Sequence, residues 1–439
     1  MKRILSKFPF REGMPVFLIT WLGQVISLVG SGLTSFALGI WVFERTGSPT
    51  LFAFIGLFAV LPKVIFSPFA GAVVDRFDRR KVMILSDAGA GLSTLFVAAM
   101  LFSGNLQLWH IYFSAAFSSL CGTFQWPAYS ATVSQLIPKK HLGRANGMNQ
   151  FGRAAAEIFS PLLAGVLVLS IKVEGVIFID VITFLFAMLT LSLVRFPRLK
   201  PKIKIENLSN FKNDLTFGWR YILKRKGLLN LLFFQVTVNF IWGMVGALIV
   251  PMILSFTTSD QLGAVITIAG LGMLSGSLLM TAWGGPKRRI NSVIFFELLS
   301  GICFALMGLR PSFWLVALGA FGAHITIAMV FGSNQAIWQT KIETENQGRV
   351  FSAQQMFASL ASPLAYLLAG PLAEQIFEPL MMPSGTFSST LTPILGAGAG
   401  RGIGLMFVLM GVAKIIVSVS AFLNPRVRLI EEELPDAES

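Results

Sequence analysis

Charge is scarce in this chain. Only 13% of its 439 residues are Asp, Glu, Lys or Arg, against about 25% in an ordinary soluble domain. Hydrophobic residues make up 54%, and mean hydropathy is +0.72. That deficit excludes a typical soluble domain and points to a membrane protein. Cysteine is nearly absent. Cys121 and Cys303 both sit in apolar segments, so no disulfide framework or cysteine metal cluster is expected. There is no G-x-x-x-x-G-K-[ST] loop, which disfavours an ATP-driven pump. No nucleophile–base constellation or metal-ligand set is present, so no enzyme and no cofactor are expected. "GAGAGRGIG" near the C-terminus lacks the G-x-G-x-x-G register, and no strand precedes it. It reads as a flexible connector.

Long apolar runs are what the chain has instead. About 20 residues cross a bilayer as a helix. Twelve such spans are expected, at 14–43, 49–74, 81–103, 107–137, 143–170, 173–194, 227–256, 259–282, 291–309, 312–339, 348–377 and 402–423. The basic N-terminus leads into a first run too long for a signal peptide, and no small-residue cleavage site stands out. With the N-terminus inside, only Arg45, Lys172, Arg310 and Arg401 fall outside, and Lys63, Arg153 and Lys414 lie within spans. The remaining 28 of the 35 Lys and Arg are on the inner side. This asymmetry supports both the spans and a cytoplasmic location for both termini. It also accounts for the net charge of +14 without nucleic acid.

The expected organisation is a six-helix bundle at 1–194, a cytoplasmic linker at 195–226, a second bundle at 227–425 and an acidic tail at 426–439. Within the linker, Phe211, Leu215, Trp219 and Ile222 recur at helical spacing and suggest a surface helix. A repeat joins the halves. "GRANGMNQFGRAAAEIFSPLLAG" opens span five and "GRVFSAQQMFASLASPLAYLLAG" opens span eleven, offset by 205 residues. Parallel repeats of this kind build many secondary transporters.

"GAVVDRFDRRK", residues 71–81, joins spans two and three. It resembles the G-x-x-x-D-R-x-G-R-R signature of the major facilitator superfamily. Gly71, Asp75, Arg76, Arg79 and Arg80 fit, and Asp78 takes a glycine slot. Asp in that slot, with "WLGQVISLVGSGLTSFALGIWVFERTGS" in span one and "ILSDAGAG" in span three, is similar to the drug:proton antiporter branch, which includes macrolide-efflux and enterobactin-export proteins. The "SPLLAG" of span five keeps Pro161 and Gly165 of that branch's G-P-x-x-G-G bend but not its other glycines. The resemblance implies an all-α membrane protein with twelve helices in two pseudo-symmetric six-helix bundles. It also implies that the signature turn latches one conformation, its arginines meeting carboxylates such as Asp87.

The resemblance further implies that spans one, four, seven and ten surround the transport pathway. Polar residues at helical spacing fall on such spans. The candidates for a substrate cavity are Gln24, Ser27, Ser31, Gln125, Tyr129, Gln235, Asn239, Trp242, Asn334, Trp338 and, on span eleven, Gln355. Inter-helix hydrogen bonding explains single Ser and Thr residues equally. Ionisable groups at depth are costly and read as functional. Glu157 lies about 20 Å along the helix from Arg144, with Arg153 one turn away. They are candidates for proton coupling, and a permanent ion pair stays open as the alternative. Asp180 reads as a structural hydrogen-bonding group. Glu297 is expected to pair with the Lys287–Arg289 turn, and Lys414 has no evident partner.

The expectation is therefore a monomeric transporter in the bacterial cytoplasmic (inner) membrane. It exports a hydrophobic or amphipathic small molecule by alternating access, with the proton as coupling ion. Its partners are the lipid bilayer and that substrate, with no nucleic acid. Siderophore or peptide export is the nearest alternative. A non-transporting sensor or scaffold on the same fold is the alternative of another class.

Overall fold

A computed structural model describes residues 13–136, 142–194, 217–283, 286, 288–342, 344–383, 385 and 388–433, with some side chains inside the helices outside the described set. The described residues hold no strand. Helices α1 to α5 are Met14–Thr46, Pro49–Arg76, Arg79–Phe102, Leu108–Leu136 and Leu142–Leu193. Residues 217–224 form α6. Helices α7 to α11 are Lys226–Leu254, Ser259–Trp283, Arg289–Leu309, Phe313–Lys341 and Thr344–Leu372. A π-helical turn, Ala373–Phe377, then leads to the short helices α12 (Glu378–Met381) and α13 (Ser388–Leu395). The long α14 (Arg401–Leu423) follows, then α15 (Pro425–Arg428) and α16 (Ile430–Glu433).

Among the described residues, ten segments are long and apolar enough to cross a membrane. One of them, Phe151–Leu193, has 43 residues. At 1.5 Å per residue it is about 64 Å long, twice a hydrocarbon layer of about 30 Å. It breaks at Lys172, where φ is 59° and ψ is −178°. Residues other than glycine rarely adopt that conformation. The break falls where the sequence divides spans five and six, so α5 supplies two arms. The expected fourth span is α4, which lies outside those ten. With α4 and both arms of α5, helices occupy all twelve expected spans.

The signature turn explains its own departure from glycine. Asp78 has extended backbone, and its carboxylate accepts a hydrogen bond from the Arg80 amide at 2.9 Å. It therefore caps the N-terminus of α3, a place where Asp is among the preferred residues. Gly71, Asp75 and Arg76 have helical backbone, but their side chains lie outside the described residues.

The chain divides into two compact units: Met1–Arg45 with Leu57–Ile205, and Thr46–Gly56 with Glu206–Ser439. In the first, α3 packs on α4 and α5, around a core that includes Phe17, Met83, Ala128, Val133 and Leu191. In the second, α9 packs on α10 and α14, α8 on α10, and α7 on α11. Ile222 of α6 and Ile430 of α16 are fully buried in a core with Leu231, Ile290, Ile337 and Val350. The linker helix is thus docked on the second unit, with Trp219 stacked on Phe357 at 4.2 Å. Residues 195–216 and 434–439 lie outside the described residues. Large apolar side chains such as Leu85, Phe178, Leu278 and Trp314 are exposed, as suits a surface solvated by lipid.

One close approach positions the candidate site. A Cβ on Gly301 of α9 would stand 2.8 Å from the Gly411 carbonyl oxygen of α14, and one on Gly411 would stand 2.5 Å from the Gly301 carbonyl oxygen. Small residues of this kind let membrane helices touch backbone to backbone. Each helix carries a charge within a turn of the contact. Those charges are Glu297, four residues before Gly301, and Lys414, three residues after Gly411.

Candidate functional site

The second unit holds a cavity of about 200 Å³. From α7 it is lined by Gln235, Asn239 and Trp242, which share a face at spacings of four and three. From α10 come Val330, Phe331 and Asn334, and from α9 comes Glu297. Four of the sequence candidates, Gln235, Asn239, Trp242 and Asn334, are therefore brought together.

Hydrogen bonds orient two of them. Gln354 on α11 donates its amide to Gln235 Oε1 at 2.8 Å. Asn239 donates to the Ala358 carbonyl at 3.2 Å. Gln235 thus keeps its amide N–H groups and Asn239 its carbonyl, and Asn334 adds a third amide to the wall. Trp242 is held edge-on against Phe304, centroids 4.6 Å apart, and against His324 at 5.7 Å.

Behind this wall lies a buried ion pair that sequence reasoning missed. Lys414 Nζ is 2.7 Å from Glu297 Oε2, with side chains 0% and 6% exposed. The ammonium also sits 4.7 Å from the Trp242 and Phe304 rings, where a desolvated cation is attracted to the ring face. Glu297 thus pairs across 117 residues of sequence, rather than with the Lys287–Arg289 turn. The available signal was Lys414, a charge without an evident partner on span twelve, and Glu297 on span nine, each within a turn of a glycine.

In the first unit, Gln24 and Gln125 lie in a three-helix network. Gln24 Nε2 donates to Asp87 Oδ2 at 2.9 Å, and Gln125 Nε2 donates to Asp87 Oδ1 at 2.8 Å and to Gln24 Oε1 at 2.5 Å. Among the described residues, the partners of Asp87 are thus amides of α1 and α4. Arg80 donates instead to the Ser192 carbonyl at 3.0 Å; Arg79 stands beside it at the start of α3. Asp87 lies two turns into α3, level with Gln24.

The other candidates are dispersed. Arg153 places its guanidinium 4.0 Å from the Trp126 ring, and among the described residues no ion pair joins it to Glu157. Both side chains are exposed. Glu157 is turned half a revolution from the exposed Val166 at 100° per residue. Its face of α5 therefore differs from the apolar one. Tyr129 is buried and donates to Asn149 Oδ1 at 2.9 Å. Ser27 is half-buried, whereas Ser31 is exposed and reaches Asp180. Trp338, only 1% exposed, is part of the second unit's apolar core and not of the cavity wall. Gln355 is exposed and donates to Ser359 on its own helix at 3.4 Å.

Residues 20–366 match the family model of the Major Facilitator Superfamily. The chain is 29% identical over 367 residues to Macrolide efflux protein A of Streptococcus pyogenes, covering 82% of this chain and 90% of that protein. It is 28% identical over 377 residues to the MFS-type transporter YfiS of Bacillus subtilis, covering 80% and 85%. Among solved structures it is similar to a bacterial homologue of the human lysosomal transporter Spinster. The TM-score is 0.69 and the identity 13%, over 94% of this chain and 97% of that one. This last likeness concerns the fold alone.

Proposed function

This chain belongs to the Major Facilitator Superfamily, and from that premise we propose that it exports a hydrophobic or amphipathic small molecule, a macrolide-like drug or a secondary metabolite. The observation that carries the reading is the second unit's cavity. Its wall combines aromatic surface with three amides and one neutralised carboxylate, the mixture that suits an amphipathic ligand. Similarity to Macrolide efflux protein A supports the same reading.

Export is driven by proton antiport through alternating access, in a bacterial cytoplasmic membrane with both termini on the cytoplasmic side. Glu157 is the proposed proton site. It lies at depth on α5, away from that helix's exposed apolar face, while Arg153 is engaged on Trp126.

Phe331 tests the cavity. It lines the wall and is largely exposed, so Phe331→Ala leaves folding intact. Lost aromatic contact of about 1.5 kcal/mol corresponds to a roughly tenfold rise in KM. Macrolide efflux from cells expressing the variant measures it, and an unchanged KM removes this cavity from the substrate path.

A further inference from the structure

We propose that Asp180 and the hydroxyls around it form a sodium site inside the first unit, separate from the cavity and from Glu157. Asp180 lies on the second arm of α5 and is 1% exposed. Ser31 Oγ of α1 donates to its Oδ1 at 3.3 Å, and Thr94 Oγ1 of α3 donates to its Oδ2 at 3.3 Å. Thr183 sits one turn on, its hydroxyl committed to the Asp180 carbonyl at 2.8 Å. Thr34, 7% exposed, brings a further hydroxyl against the same carboxylate. Gly30 closes the remaining side; a Cβ there would stand 2.9 Å from Asp180 Oδ1. Among the described residues no Lys, Arg or His forms an ion pair with Asp180.

A lone carboxylate in this setting needs neutralising, because burial of an unpaired charge is strongly unfavourable. The two hydroxyl contacts are long for O–H···O⁻ bonds, which run at about 2.5–2.7 Å. They fit oxygens that share a cation. An ion of calcium's size holds its oxygens at about 2.4 Å, and neighbouring oxygens on an octahedral edge are then about 3.4 Å apart. The charge count selects a monovalent ion. A divalent ion against one carboxylate would leave net positive charge in a low-dielectric interior. Sodium is the monovalent ion of that size, and potassium is larger. Ser31, exposed on α1 one turn from Ser27, provides the approach.

The test is thermal unfolding of the purified full-length protein in detergent, at constant ionic strength set with choline chloride. Sodium is expected to raise the midpoint saturably, as a ligand of the folded state does, and potassium to leave it unchanged. Asp180→Asn removes the sodium response. Thr34→Val, which keeps the shape and deletes one oxygen, raises the half-saturating sodium concentration about tenfold. If Asp180→Asn does not fold, Thr34→Val and Thr94→Val decide. Equal effects of sodium and potassium overturn the proposal. So does an unaltered sodium response in the variants, or a midpoint that follows pH alone, which would assign the carboxyl to a proton. None of these outcomes depends on the export reading.

Discussion

Glu297→Gln lowers the stability of the folded protein by about 3–5 kcal/mol, because it leaves the Lys414 ammonium charged and buried without its counter-ion. Lys414 is 0% exposed, and its carboxylate partner is 2.7 Å away. The neighbouring Trp242 and Phe304 rings offset only part of the lost attraction, about 2 kcal/mol at most. Lys414→Met produces a similar loss by stranding the carboxylate. The double variant Glu297→Gln/Lys414→Met restores most of the stability, since a buried pair can be replaced by matched neutral groups at little net cost. Urea unfolding of all four proteins closes the cycle. Losses that simply add would show that the two groups are not coupled.

Glu157→Gln abolishes gradient-driven accumulation while leaving the fold intact, because Glu157 is exposed and has no ion-pair partner among the described residues. One proton moved down a gradient of one pH unit is worth about 1.4 kcal/mol, which sustains an approximately tenfold substrate gradient. The variant is expected to reach a ratio of about one under the same conditions, yet to exchange substrate across the membrane at equilibrium. Arg153→Ala keeps gradient-driven transport, since its guanidinium rests on Trp126 and not on Glu157. Full accumulation by Glu157→Gln would move the proton site elsewhere.

The positions of the helices were legible in the sequence because bilayer thickness imposes a length and an apolar composition on every crossing. The cavity wall was legible on α7 and α10 for a similar reason. Gln235, Asn239 and Trp242 repeat at helical spacing on one span, so a single helix displays them together. Trp338 shares the period with Asn334 but is packed in the apolar core. One span's periodicity cannot show which neighbour a face meets. Partners on different helices were hidden for that reason. Asp87 is held by Gln24 and Gln125 from two other helices. Glu297 finds Lys414 because glycines bring α9 and α14 backbone to backbone. Asp78 was readable as a departure from the signature, though not as the cap of α3 that it forms.

Transport by the reconstituted wild-type protein tests the central claim most directly. Proteoliposomes are prepared one pH unit more acidic inside than out, and uptake of a macrolide is measured against protein-free vesicles under the same gradient. The account predicts uptake beyond the protein-free level by about tenfold for each proton exchanged, collapsing when an ionophore dissipates the gradient. Protein-dependent flux that is the same with and without the gradient would contradict proton-driven export.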